Sequence, residues 1–397
     1  MPLGLYISVP FCKTKCTYCN FASGVFSRAV FGRYVDRVCG ELEQAKETAE
    51  QMGSQFERLV DSVYFGGGTP TILEVAQLER IFVTISQNFA VAADAEITLE
   101  CAPGTLTPSM IDAFARCRVN RVSLGVQSFV DKETASVGRL HKREIVLDDI
   151  TRLRSAGISN INVDVIAGLP HQTRESWDQS LGELISTDVP HASVYMLEVD
   201  EDSRLGRDLI AGGQKYHAHF VPDDDLIADL YETARERLNA SGVRQYEISN
   251  FARAAFESKH NLKYWTRQPY LGFGVDAHSM LHSATNQGAV RFSNTDALEK
   301  YLAGCQKERT LISQQASVEE TLFLGLRLND GVNSRKVADW HGEGAIAALT
   351  PALDELMRQG LIESDAEVIR LTARGRLLSN EVFERFISVK PDLATTR

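Results

Sequence analysis

Between residues 3 and 197, short apolar runs alternate with amphipathic stretches. Residues 3–9, 63–65, 96–100, 121–126, 160–166 and 192–197 read as strands. Residues 28–51 carry Val30, Phe31, Tyr34, Val35, Val38 and Leu42 at helical spacing and predict one amphipathic helix. Residues 74–88 repeat the pattern with Leu78, Ile81, Phe82 and Ile85, and 108–116, 142–155 and 174–186 predict three more helices. Strand–helix alternation implies a parallel sheet covered by helices. Eight units would close a barrel; six predict an α/β fold with an incomplete (β/α)6 barrel.

After about residue 200 the alternation stops. Residues 201–225 are polar and loop-like, and 226–239 predict a helix. An aromatic and glycine-rich region follows over 246–274. Helices at 318–328 and 345–359, then a hairpin at 361–363 and 368–371, predict a small α+β winged-helix-like C-terminal domain. The expected division is a barrel over 1–200, an extension over 201–310 and the C-terminal domain over 311–397.

Composition narrows the function. The net charge of −11 argues against a nucleic-acid binder, so the C-terminal domain reads as a packing or partner module. No apolar run reaches transmembrane length, and the N-terminus has no secretion signal. Seven cysteines form no disulfide framework, so a reducing cytoplasm is expected.

Three cysteines stand close together. Cys12, Cys16 and Cys19 have C-x3-C-x2-C spacing directly after the first strand. Clustered thiolates favour zinc or iron–sulfur clusters. Zinc and a ferredoxin-type [4Fe-4S] cluster each want four protein ligands. Three cysteines would leave one iron open to chelate a small molecule, with a structural zinc site or a buried thiol cluster as the plainer readings.

This spacing, Tyr18 before the third cysteine, and Gly66-Gly67-Gly68-Thr69-Pro70 downstream resemble the radical S-adenosylmethionine (SAM) superfamily. The resemblance implies that the open iron holds SAM and that the incomplete barrel is a radical SAM barrel. Ligands of such barrels gather at the C-terminal ends of the strands. Glu100, Gln127 and Asp164 fall at such ends, and Arg139 lies in the loop after the fourth strand. In the coproporphyrinogen dehydrogenase branch, residues matching Tyr6, Gly67, Gly68, Thr69, Glu100, Gln127, Arg139 and Asp164 contact SAM. One local departure is Cys101-Ala102-Pro103, where relatives often have Asn-Pro after the glutamate.

Residues 245–251 (Gln-Tyr-Glu-Ile-Ser-Asn-Phe), His260-Asn261-Leu262-Lys263-Tyr264-Trp265 and 270–279 are similar to the signatures of HemW-type heme chaperones. These are sisters of oxygen-independent coproporphyrinogen III dehydrogenase. The dehydrogenase has a fourth cysteine where Phe21 stands, and an extension before its first strand. Both departures point to the HemW branch. The resemblance implies heme held by His260 with Tyr264 and Trp265 as an apolar wall, and His278 and His282 as second choices. The expected partners are heme, a heme-acceptor protein and a possible reductant protein. The competing expectation is oxidative decarboxylation of coproporphyrinogen III. An electron-transfer protein is a third, disfavoured because a simple carrier needs no open iron.

Overall fold

The computed structural model describes residues 1–387 apart from 214, 286, 287, 306 and 343. Six strands follow the predicted order: β1 (Leu3–Val9), β2 (Leu59–Gly67), β3 (Ala90–Cys101), β4 (Arg121–Gln127), β5 (Asn160–Ala167) and β6 (His191–Met196). They pair in parallel, each with the next. Helices cover their outer face, which explains why strands such as β1 read as nearly unbroken apolar runs. The inner face is different: Tyr6, Tyr64, Glu100 and Asp164 project into it.

The sheet does not close. Residues 201–310 extend it at both edges instead of forming a separate layer. The short strands β7 (Arg244–Gln245) and β8 (Asn250–Ala252) add antiparallel beyond β6. At the other edge β9 (Tyr270–Phe273) lies parallel to β1, followed by β10 (His278–His282), β11 (Ala289–Ser293) and β12 (Glu308–Ile312). The result is a 12-stranded sheet.

Two predicted elements differ in kind. The stretch 28–51 is two helices, Ala29–Glu43 and Ala45–Gln51, broken at Gln44, which leaves helical geometry (φ −93°, ψ 6°). The supposed loop at 201–225 contains the helix Arg204–Ile210, capped by the Ser203 hydroxyl, which accepts from the Gly206 N–H.

The C-terminal region has its own core around Val318, Leu322, Leu356, Ile369 and Phe386, joined by Ile248. Helices Gln314–Gly325, Ser334–His341 and Thr350–Arg358 pack on a three-stranded antiparallel sheet of Val332–Asn333, Val368–Leu371 and Ile362–Asp365. The third helix starts five residues later than expected, where Pro351 occupies its first turn. The last ten residues of the expected 311–397 division lie outside the described residues. No helix among the described residues is long and apolar enough to cross a membrane.

Candidate functional site

A cavity of about 580 Å³ opens at the C-terminal ends of the parallel strands. Cys12, Cys16, Tyr18, Cys19, Gly67, Gly68, Thr69, Glu100, Gln127, Arg139 and Asp164 all line it, although they span more than 150 positions of sequence. Tyr6 lies beneath: its hydroxyl is 3.4 Å from where a Cβ on Gly67 would stand.

The cysteine loop is held by backbone bonds before any ligand arrives. Cys12 N–H donates to the Gly24 carbonyl at 2.9 Å, Gly24 N–H to Pro10 at 2.9 Å, and Thr17 N–H to Val137 at 3.1 Å. All three thiols are free. Thr69 Oγ1 lies 3.9 Å from Cys12 Sγ, and Ser23 Oγ 3.8 Å from Cys19 Sγ, both positioned to donate to a thiolate. Among the described residues no three His, Cys, Asp or Glu side chains converge as a single ion requires. Three thiols at the cavity are one short of the four protein ligands of a structural zinc site. Cys101 touches the cavity, but its thiol packs back toward the Leu99 carbonyl in the core. Phe21 stands exposed at the mouth and offers no ligand atom.

The glycine turn fits a ligand pressed against the backbone. Gly67 has φ +97°, where a side chain would be strained, and a Cβ on Gly68 would lie 2.7 Å from the carbonyls of Val9 and Phe11. Gln127 also has positive φ (70°), at an irregularity in the β4–β5 register that re-aims its side chain.

Among the charged groups, Arg139 is left short of a partner. Arg139 Nη2 donates to the Tyr18 hydroxyl at 3.3 Å, while its buried Nε has no partner. Burial and the nearby Asp164 push the Glu100 carboxyl up to about 7, against the Tyr64 hydroxyl, the Gly67 N–H and Arg139, which favour the charged form. Burial also raises the Asp164 carboxyl, partly offset by hydroxyl and amide donors. Ser123 Oγ donates to it at 3.1 Å and Asn162 Nδ2 at 2.7 Å. An ammonium beside Glu100 and a carboxylate beside Arg139 would complete both groups. The donor set therefore suits an amino-acid moiety such as that of SAM.

Sequence patterning misses Tyr64, Ser123 and Tyr195. Tyr64 donates to Glu100 Oε1 at 2.9 Å, and Ser123 and Tyr195 line the cavity. The available signal was period two: Tyr64 precedes Gly66 by two residues and faces the same side.

The predicted heme ligand does not line the cavity but stacks on Tyr6 and Tyr64 beneath it, with ring centres 6.3 and 5.3 Å away. His260 is 1% exposed and packs near Ser62 and Gly4, toward the N-terminal ends of β1 and β2. Its Nδ1 lies 3.0 Å from Ser62 Oγ, and its Nε2 2.8 Å from the Tyr264 hydroxyl. The Glu96 carboxylate accepts the N–H groups of Lys259 and His260, each at 3.1 Å, and caps the helix Lys259–Trp265. Burial, with Lys263 and Arg121 nearby, pushes the His260 imidazole down to about 3. Both His260 nitrogens thus have hydrogen-bond partners in the interior. Tyr264 serves as its hydrogen-bond partner, and Trp265 lies under the Arg327 guanidinium, 4.2 Å from the ring centre. His278 is exposed with Nε2 3.7 Å from Asp276, and His282 is half-buried.

Residues 6–184 match the radical SAM superfamily, and 312–378 match the HemN C-terminal domain. The chain is 32% identical to heme chaperone HemW of Bacillus subtilis, over 96% of this chain and 98% of that protein. It is 30% identical to heme chaperone HemW of Escherichia coli over 98% of each. The mouse mitochondrial radical S-adenosyl methionine domain-containing protein 1 is 31% identical over 94% of this chain and 84% of its own length. Coproporphyrinogen III oxidase (HemN) of Escherichia coli superposes with a TM-score of 0.82 at 24% identity, over 97% of this chain and 90% of that one, a likeness of fold. The chain belongs to the radical SAM superfamily and, within it, to the family of the HemW heme chaperones.

Proposed function

We propose that this protein is a heme chaperone that binds heme and passes it to an acceptor protein, on a scaffold carrying a [4Fe-4S] cluster and SAM. The observation that carries the reading is the 32% identity to a curated heme chaperone over 96% of the chain. In this reading Cys12, Cys16 and Cys19 hold the cluster. The Gly67–Thr69 turn and Glu100 receive the SAM ammonium, and Arg139 its carboxylate. Gln127, Asp164, Tyr6 and Tyr18 complete the surroundings. The cluster would supply one electron at low potential when bound. Ser123 and Asn162 keep Asp164 oriented, and Tyr64 keeps Glu100 oriented. Residues 1–200 hold the cofactors, 201–310 take part in heme handling, and 311–397 serve a partner such as the acceptor or a reductant. Seven unpaired cysteines support a reducing, cytoplasmic setting, and the negative charge supports the absence of a nucleic-acid partner.

A second reading, coproporphyrinogen III decarboxylation, is favoured by the fold match alone. Phe21, in place of the dehydrogenase's fourth cysteine, speaks against it. Anaerobic reconstitution followed by two assays tests the choice. Hemin uptake near one per chain, with no consumption of coproporphyrinogen III in the presence of SAM and reductant, is expected. Stoichiometric decarboxylation would restore the dehydrogenase reading.

A further inference from the structure

Buried polar side chains fill the barrel interior beneath the cavity. Closed barrels of parallel strands are filled there mainly by branched aliphatic residues. Here Thr98, Arg121, Ser123, Asn162, His191 and Ser193 are each 3% exposed or less. The strand register sets three of them in a row: Ser123 stands opposite Asn162 across β4 and β5, and Asn162 opposite His191 across β5 and β6. Antiparallel β8 pairs with β6 at His191. The chain leading into β8 carries Tyr246, from the 245–251 stretch, whose ring stands edge-on to the His191 ring with centres 5.7 Å apart.

The proton positions along this row follow from its ends. The Asp164 carboxylate only accepts, so Asn162 turns its amide nitrogen to it. Asn162 Nδ2 lies 2.7 Å from Asp164 Oδ1 and 2.7 Å from Ser123 Oγ. Both amide hydrogens are then engaged, and Oδ1 faces the other way, 2.6 Å from His191 Nδ1. A carbonyl oxygen only accepts as well, so His191 carries its proton on Nδ1. Burial, with Arg121 nearby, holds the His191 imidazole well below the usual histidine range, so the ring is neutral and Nε2 is an acceptor. The Tyr246 hydroxyl, 3.0 Å away, donates to Nε2, and its oxygen accepts the Ser258 N–H at 3.2 Å. Every bond from Ser258 to Asp164 therefore points the same way. Ser193 Oγ lies 3.2 Å from Asn162 Oδ1 but 2.8 Å from Asn250 Oδ1, which leaves His191 as the nearer donor to Asn162.

Asp164 and Ser123 line the cavity, and Asn162, His191 and Tyr246 do not. A side-chain amide is nearly symmetric in shape, and only its hydrogen bonds decide which end faces which neighbour. Reversed, Asn162 would turn its oxygen toward the Asp164 carboxylate. The His191 N–H opposes that reversal. Resting on the reading of Asp164 as a SAM contact, we infer that His191, held in one tautomer by Tyr246, is a positioning residue for SAM binding: it locks the Asn162 amide, which fixes the Asp164 carboxylate at the cavity wall.

SAM binding to the anaerobically reconstituted full chain, measured by equilibrium dialysis, tests the assignment through a double-mutant cycle. Asp164→Ala should lower SAM affinity about tenfold, and His191→Ala about fivefold, with cluster iron unchanged. In the Asp164→Ala background, His191→Ala should cost less than about twofold more, whereas in the Glu100→Ala background its full loss should persist. His191→Asn keeps an N–H where Nδ1 stands but removes the rest of the ring. It should bind SAM within about twofold of wild type while unfolding as easily as His191→Ala. Heteronuclear NMR of the imidazole nitrogens should show the His191 proton on Nδ1. A proton on Nε2, unchanged SAM affinity in His191→Ala, or a loss undiminished in the Asp164→Ala background overturns the assignment. If the His191 variants do not fold, Tyr246→Phe decides: a loss of SAM affinity of about twofold or more supports it, and none overturns it. If Asp164→Ala itself leaves SAM affinity unchanged, the reading of Asp164 as a SAM contact fails first, and the assignment with it.

Discussion

The two ends of the barrel strands are built from similar residues and do opposite things. At the C-terminal end, Arg139 keeps a buried nitrogen without a partner, and Glu100 is raised toward neutrality by burial. At the N-terminal end, around His260, comparable groups are matched. His260 is bonded through both nitrogens, Glu96 caps a helix, and buried Lys263 sits 2.7 Å from Asp61 and 3.0 Å from the Pro2 carbonyl. Arg121 Nε, Thr98 Oγ1 and Trp265 Nε1 lack hydrogen-bond partners there, but the carboxylates and the histidine are paired. A buried polar group left short of partners costs free energy until something supplies them. The open end is therefore prepared for a ligand, and the closed end is a floor. A sequence motif can mark either kind of place.

The comparison can be broken first at the cluster. Cys16→Ser should abolish cluster incorporation after anaerobic reconstitution, read as iron and sulfide per chain. Full incorporation would remove the basis for the open end as a cofactor site.

The floor makes the next prediction. His260→Ala leaves Ser62 and Tyr264 without their partner and opens a cavity, and should cost about 3 kcal/mol in denaturant unfolding. Hemin affinity of the folded fraction should stay within about threefold. A variant of normal stability that no longer binds hemin would reverse the assignment of that end. The pH sign follows too. His260 titrates at about 3 in the fold, and a free histidine at about 6.5. The unfolded chain takes up the proton first, so this residue lowers stability as pH falls below about 6.5.

Glu100 has the opposite sign. The fold holds its proton up to about 7, whereas an unfolded glutamate releases it near 4.3. Stability of the cofactor-free protein should therefore fall as pH rises between those values and remain lower above them. Glu100→Gln should raise stability at pH 8 by about 1–3 kcal/mol and change it little at pH 4, while weakening SAM binding. An equal effect at both pH values would show that the carboxyl is not the strained group.

The smallest effect belongs to Phe21. Phe21→Ala should leave iron content within error, because an exposed phenyl ring at the mouth contributes nothing to the cluster.

Much of this fold was legible along the chain. The six parallel strands pair with sequential neighbours and are covered on their outer face by the intervening helices, so each carries a local apolar pattern. The outer strands β7 to β12 were not, because they are short and β9 joins β1 across more than 260 positions. The helix at Arg204–Ile210 hid in a polar stretch, since it buries little more than Leu205, Gly206 and Asp208. At the site, strand ends located Glu100, Gln127 and Asp164. Tyr64 escaped because a tyrosine inside an apolar run reads as core. His260 was legible as part of a motif but not as an environment, since its partners Ser62 and Glu96 lie some 160 to 200 positions away.

The most direct test of the division between the two ends is backbone hydrogen exchange of the cluster-loaded protein with and without SAM. Added protection should appear in the segments around Cys12–Cys19, Gly66–Thr69, Glu100 and Arg139, with none in the helix Lys259–Trp265. Protection concentrated in that helix, with the glycine turn unchanged, would contradict the account.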